Sequence, residues 1–596
     1  MEYFYYLLGT KKYNMKKTLL SLLFGVLSIG LNAQFFDKVN YLGALPSNSS
    51  GDWTKGWTNW NPKNTNYADV TDSVTFKSST GEVDITATLT LDPSRVYLLQ
   101  SLVVVKDGGK LIIPAGTIIR GMANAQSTPK QYATIVVERG GYIQIEGTKT
   151  NPVVMTSAKK IGQRDRGDWG GLLLAGKAAN NQGPNIQMEG FNNVSFNNQL
   201  AKHGGINDND NSGSISYLRI EFAGYAFEPN KEINGLTFCS VGKGTSIDNV
   251  QVSYSGDDSY EWFGGTVNCK HLIAFKGTDD DFDTDFGYRG AVQFGIAFRD
   301  SSYFDMSWNS ASGASTSECF ESDNDASGSG LLPLTTAVFS NITCVGPVPA
   351  GMTWSQLTPT QKGAFRRGAR IRRNSRLSIV NSIFMGYRNF VMFDGDSVLT
   401  NSGVKSGTIS DKNDLFRNNY LYGVKASAPA GATNTGLCEV SSTGRVTALD
   451  SWVRNPYNLN YIDTSDFKPG FLINTNDFTG PDFRPEKEYP SNYDFNVMGY
   501  YGVANVKNVG KIKSSKAYPN PTSGQYTVEF ISSNPFTASI YITDLSGKVV
   551  GSQPNQTIVN GTNHVNVNLS DLTDGLYYFH IEGGENHIVY QVFIAK

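Results

Sequence analysis

The stretch VQVSYSGDDSY at 250–260 returns as LIAFKGTDDDF at 272–282. The two align without a gap: aliphatic and small residues lead into Gly or Thr, then a pair of aspartates, then an aromatic residue two positions on. The second copy lies 22 residues after the first. A repeat of that length, built of short β-type runs and turns with no helix between them, is the signature of a solenoid that stacks one coil on the next. Upstream, GGKLIIPAGT at 108–117 is echoed by GGYIQIEGT at 140–148, each placing alternating aliphatics between a glycine pair and a Gly-Thr corner. Period-two alternation buries one side of a strand, and glycine supplies the corner. Asn-Gly and Asp-Gly hairpin turns, which an array of β-sandwiches would use, are confined within 74–400 to Asp107, Asn234 and Asp394 and the glycines after them. The expected fold is therefore all-β: a right-handed parallel β-helix over 74–400, followed by a small antiparallel β-sandwich.

Working outward, 1–33 reads as a signal peptide. Lys16 and Lys17 precede an apolar run at 19–31 that ends in Asn-Ala-Gln, with Met15 a plausible start. That run is shorter than the ~20 residues a spanning helix needs, and no later one is longer, so no transmembrane segment is expected in the mature chain. Residues 34–73 form an N-terminal segment carrying Trp53, Trp57 and Trp60, read either as a cap over the open end of the solenoid or as a platform for sugar rings. Helical composition is confined to 353–365, interrupted at Pro359. Residues 401–512 loosen into irregular coils, a cap and a linker. Five cysteines, an odd number in an exported chain, leave at least one thiol free unless it pairs between chains. With 51 basic and 53 acidic residues the chain is nearly neutral, which points away from nucleic acid.

From 513 to the end the text changes to AYPNPTSG (517–524), YTVEF (526–530), DLSGK (544–548) and LTDGLYYF (572–579), closing on Lys596. These are alternating strands joined by Pro-Asn-Pro, Ser-Gly and Asp-Gly turns. The segment resembles the C-terminal sorting domain of type IX secretion cargo from Bacteroidetes (the type A Por secretion tail). That resemblance implies passage through the outer membrane, removal of the domain by a sortase-like peptidase, and a final location on the cell surface or outside the cell. FFDKVNYLG (35–43), GDWGGLLL (167–174), YLRIEFAG (217–224) and DDSYEWFGG (257–265) likewise resemble a family of secreted bacterial β-helix proteins that mostly lack an assigned activity.

Three acidic segments are candidate Ca²⁺ sites, because hard oxygen ligands clustered in turns are what that ion takes. The densest holds Asp279, Asp281, Asp283 and Asp285; the others hold Asp208 with Asp210 and Asp323 with Asp325. None completes an EF-hand loop, and solvated Asp/Asn turns are the structural alternative. Arg366, Arg367, Arg370, Arg372, Arg373 and Arg376 are either a stripe for an anionic glycan or, stacked on adjacent coils, partners of Asp279 to Asp285. If the protein is an enzyme, a lyase would draw on Lys276 or Arg289 as base beside Ca²⁺, and a hydrolase on Asp257, Asp258, Glu261 and Asp280. Only His203 and His271 lie outside the sorting domain, too few for a zinc or Ser-His-Asp centre. The functional expectation is a secreted or surface binding and adhesion protein with a polysaccharide ligand. A Ca²⁺-dependent lyase or hydrolase and a passive structural role are the alternatives.

Overall fold

The computed structural model describes residues 35–67, 72–122, 133–191, 202–225, 233–305, 316–349, 351–487 and 512–594. Within the last two ranges, 403, 405–414, 424–432, 434, 442–444, 456–457, 466–471, 475–480, 519–521, 533, 544–548, 574 and 584–585 are excepted. The signal-peptide segment 1–33 and Lys596 lie outside the described residues, as does the DLSGK turn. Residues 1–39 are a unit of their own, and its described part, 35–39, has neither strand nor helix.

The remaining unit is built on two parallel sheets. One holds 11 strands, from Glu82–Ile85 to Cys438–Val440, each hydrogen-bonded to the strand one coil away. The 22-residue step read from the sequence is the register itself: Val250 pairs with Leu272, and Tyr260 with Phe282. The glycine-flanked units pair likewise, Lys110 with Tyr142 and Leu111 with Ile143. Equivalent residues stack in columns, so Leu236, Tyr260, Phe282 and Phe320 form one buried file, the Tyr260 and Phe282 rings 5.7 Å apart. Each such side chain contributes about 1.5–3 kcal/mol of burial.

The second sheet, of 17 strands, bends at a column of residues with left-handed backbone: Tyr217, Asn249, His271, Phe294, Asn341, Asn381 and Asn418, with φ between 47° and 62°. Asparagine tolerates that conformation because its short amide bonds locally, and here the Asn418 amide donates 2.7 Å to Asn381 Oδ1 in the next coil. Where the column is aromatic, the N-terminal segment packs on it. Trp57 meets Tyr217 edge-on at 5.7 Å, Trp53 sits 4.9 Å from His271, and Tyr41 lies over Phe294 at 6.5 Å. Residues 40–67 are thus a strap along the flank of the coils, not a lid over their open end. Its path runs from Asn381, whose carbonyl accepts from Gly43, back to Glu221, which accepts from Tyr67 at 2.5 Å. The reason is chemical: the rings find apolar partners on the flank, and Asn59 finds Gln251 and Glu221.

The ladder also outruns the expected end at 400. Tyr420–Tyr422 pairs with Tyr461–Asp463, and Asn389–Asp394 with Cys438–Val440, all parallel. The helix Val446–Val453 packs Leu449, Trp452 and Val453 into the same core. Pro359 does not interrupt a helix but begins one, Pro359–Ala364, with Thr358 and Gln361 as its capping box. In the C-terminal region a three-stranded antiparallel sheet (Ile512–Tyr518, Gln525–Ser532, Gly561–Asn568) and a four-stranded one share a core that includes Tyr526, Phe530, Ile540 and Phe579.

Candidate functional site

Each coil turns a corner just before its strand in the 11-stranded sheet, and three successive corners carry acids. Asp258 precedes Tyr260–Phe263, Asp280 precedes Phe282–Asp285, and Glu318 precedes Phe320–Ser322. They interlock. Asp258 Oδ1 accepts from the Asp280 backbone N–H at 2.7 Å, and Asp280 Oδ1 from that of Glu318 at 2.5 Å. One oxygen of each aspartate therefore closes the next coil, a cross-coil version of the turn capping expected of such residues.

The strands add a second column on the outer face, Glu261 beside Asp283 and Asp283 beside Glu321. Together the two columns place carboxylate oxygens within 4.8 Å of one another in three triads, the first two sharing Asp258: Asp257, Asp258, Asp279; Asp258, Glu261, Asp283; and Asp280, Glu318, Glu321. Asp258, Glu261, Asp280 and Glu318 are buried. Burial first, and the neighbouring carboxylates second, push Asp258, Glu261, Asp280 and Asp283 well above the usual carboxylate range. Asp285 is pushed up to about 8 for the same reasons, with Asp323 the chief neighbour. Asp283 Oδ1 and Glu318 Oε2 are buried without a hydrogen-bond donor. Orphaned carboxylate oxygens at the centre of like charges are a ligand set for a hard cation, and the middle triad fits one, since none of its members is ion-paired to an arginine or lysine among the described residues.

Asp281 does not join this cluster. Its side chain turns into the solenoid and pairs with Arg299 Nε at 2.9 Å, both side chains fully buried. Burial pushes it up to about 7 and Arg299 pulls against that. Arg299 also donates to the carbonyls of Asp279 and Glu318, tying two acidic corners together from inside.

The arginine stripe is largely consumed by acids of adjacent coils. Arg367 bridges Glu318 and Glu439 at 2.8 Å each, Arg370 bridges Glu321 and Asp394, and Arg372 contacts Glu321 and Asp323. Arg373 also reaches Asp323, at 2.8 Å. Arg366 is half-buried, and burial together with Arg367 lowers its pKa. Arg376 is exposed and donates to Asn401. The partners are thus Glu318, Glu321, Asp323, Asp394 and Glu439 rather than 279–285. The glutamates were missed because an insertion stretches the step from Phe282 to Phe320 to 38 residues, hiding the repeat.

Other expected site residues are engaged elsewhere. Lys276 pairs with Asp300 at 2.9 Å and Arg289 with Asp208 at 2.7 Å, each committed to a carboxylate outside the cluster. Asp208 also caps Ala179 N–H, and Asp210 caps that of Lys177. Burial would raise Asp325, but hydrogen bonds from Ser327 and Ser329 within its own turn outweigh it and hold it at about 2. Trp57 and Trp60 are buried between the strap that carries them and the coils, and are unavailable to sugar rings.

Residues 83–456 match the family of the pectate-lyase-like β-helix domain. The chain belongs to that family. In pectate-lyase-like terms, the acid cluster sits on the outer face of one of the stacked parallel sheets. Residues 516–595 match the secretion system C-terminal sorting domain, which marks the protein for type IX export to the cell surface or the extracellular space. No helix among the described residues is long and apolar enough to cross a membrane. No curated protein matches the chain. Solved structures similar to it include the enzymatically active domain of tailspike protein 2 of bacteriophage CBA120, at 12% identity over 84% of this chain and 72% of that one, TM-score 0.23. The Dettilon tailspike protein is 8% identical over 85% of this chain and 88% of that one, TM-score 0.21. Both likenesses are too distant to bear on function.

Proposed function

We propose that the exported β-helix is a surface polysaccharide-binding protein whose binding centre is the cluster of Asp257, Asp258, Glu261, Asp279 and Asp283, working with a bound divalent cation, Ca²⁺ by the hardness of its ligands. The observation that carries this reading is the middle triad, three carboxylates within 4.8 Å of one another with Asp283 Oδ1 lacking a donor. Carboxylates so placed are stable only when protonated or when sharing a cation. A cation there, coordinated by six to eight oxygens, would keep positions open for the hydroxyl and carboxylate oxygens of a uronate-bearing polymer. Glu261 and Asp283 would grip it from adjacent strands. Asp258, tied by Oδ1 to the next coil, would offer Oδ2.

Hydrolysis is the second reading. It is favoured by partly exposed Asp257 and Asp279 lying beside buried Asp258, which keeps its proton to higher pH, the combination of base and acid that glycosidases use. A lyase is weaker, because Lys276 and Arg289 are both committed to other carboxylates.

The test is incubation of the exported protein with a panel of acidic and neutral polysaccharides, with Ca²⁺ or with a chelator, following bound polymer and new chain ends together. Binding of acidic polymers that needs Ca²⁺ and releases no new ends supports the proposal. New ends that vanish in Asp258→Asn would replace it with the hydrolase, and no binding to any polymer would leave a passive structural role.

A further inference from the structure

All five cysteines are buried, and two of them meet. Cys319 Sγ lies 2.8 Å from Cys344 Sγ, both at zero exposure within the solenoid core. They come from opposite walls. Cys319 leads into Phe320–Ser322 of the 11-stranded sheet, and Cys344 belongs to Val338–Val345 of the 17-stranded one. The two stand here as free thiols, Cys319 donating to Cys344, at a separation well inside ordinary sulfur contact and toward the roughly 2.0 Å of a formed bond. Cys239, Cys269 and Cys438 have no such neighbour among the described residues. The sorting domain sends the chain through the periplasm, where thiols are oxidised rather than kept reduced.

We infer that Cys319 and Cys344 are joined by a disulfide in the exported protein, a covalent rung tying the two walls of one coil together. It forms before that coil closes, since neither sulfur is reachable afterwards. A Cys thiolate attacks an oxidised thiol–disulfide exchange protein of the periplasm, giving a mixed disulfide, and the second Cys thiolate displaces the carrier's sulfur. Two thiols lose two protons and two electrons, and the carrier's disulfide gains them as two thiols. The bond sits one residue from Glu318, so it pins the corner that contributes to the third acidic triad.

The experiment is thiol counting on the exported protein recovered from the outside of the producing cell, which keeps all five cysteines, denatured in excess alkylating agent without reductant and mapped as peptides. The expected result is three alkylated cysteines per chain before reduction and five after it, with a peptide pair joining Cys319 to Cys344. Five alkylated cysteines without reductant, or a bond that joins any other pair, overturns the inference.

Discussion

Asp281→Ala removes one half of an ion pair whose two side chains are fully buried, and leaves the Arg299 guanidinium with no directly paired carboxylate, only the carbonyls of Asp279 and Glu318 and the more distant Asp280. Breaking a buried pair from one side costs about 3–5 kcal/mol, because the surviving charge is neither solvated nor neutralised. At about 2.1 cal/mol/K per residue, a cooperative unit of about 400 residues unfolds with an entropy near 0.8 kcal/mol/K, so the melting temperature should fall by about 4–6 °C. The assay is thermal unfolding at pH 8, where Asp281, pushed up to about 7, is mostly ionised. Exchanging both partners for apolar residues of similar size, Asp281→Leu with Arg299→Met, should recover most of the loss, since it removes the buried charge altogether. A melting point within about 1 °C of the parent for Asp281→Ala, or a double variant as unstable as the sum of the singles, would refute the placement of this pair.

The acid cluster also fixes a pH profile. Asp258, Glu261, Asp280, Asp283 and Asp285 have folded pKa values above their unfolded ones, so the folded chain holds more protons, and stability should fall as pH rises from about 4 to about 8. Asp325, Asp394 and Glu439 are shifted the other way and lose their contribution below about pH 4, which puts the maximum near pH 4–5 in melting curves without added cation. Arg367→Met should cost about 3–5 kcal/mol in urea unfolding, by stranding Glu318 and Glu439, whereas exposed Arg376→Ala should change stability by less than about 0.5 kcal/mol. Trp57→Ala should cost about 3–5 kcal/mol, and limited proteolysis should then cut within 40–67 while the coils stay intact.

The coil step was legible because a solenoid's period is its register: the same 22-residue offset that aligns Val250 with Leu272 hydrogen-bonds them. The acids at 257, 258, 261, 279 and 280 were legible for the same reason, as the two copies of one corner. What escaped was whatever depends on side-chain direction. Asp281 closes an unbroken run of three aspartates, yet its side chain points into the solenoid toward Arg299, and nothing in that run marks its last member as the one that turns inward. The strap escaped because its contacts, Trp53 to His271 or Asn59 to Gln251, join residues some 200 positions apart without any repeat to align them. The late coils were hidden by insertions, which lengthen the loops while leaving short strands such as Tyr420–Tyr422.

Melting the exported protein and its Asp283→Asn variant at pH 8, with and without millimolar Ca²⁺, bears most directly on the cation centre. Asparagine keeps the shape, removes one of the crowded charges and displaces no hydrogen bond from Oδ1. The variant should therefore melt higher than the parent when Ca²⁺ is absent. The parent should gain about 2.7 kcal/mol at a hundredfold excess of Ca²⁺ over its dissociation constant, and the variant should gain almost nothing. A parent indifferent to Ca²⁺, or an Asp283→Asn variant that melts lower than the parent without it, would contradict a cation-binding acid cluster.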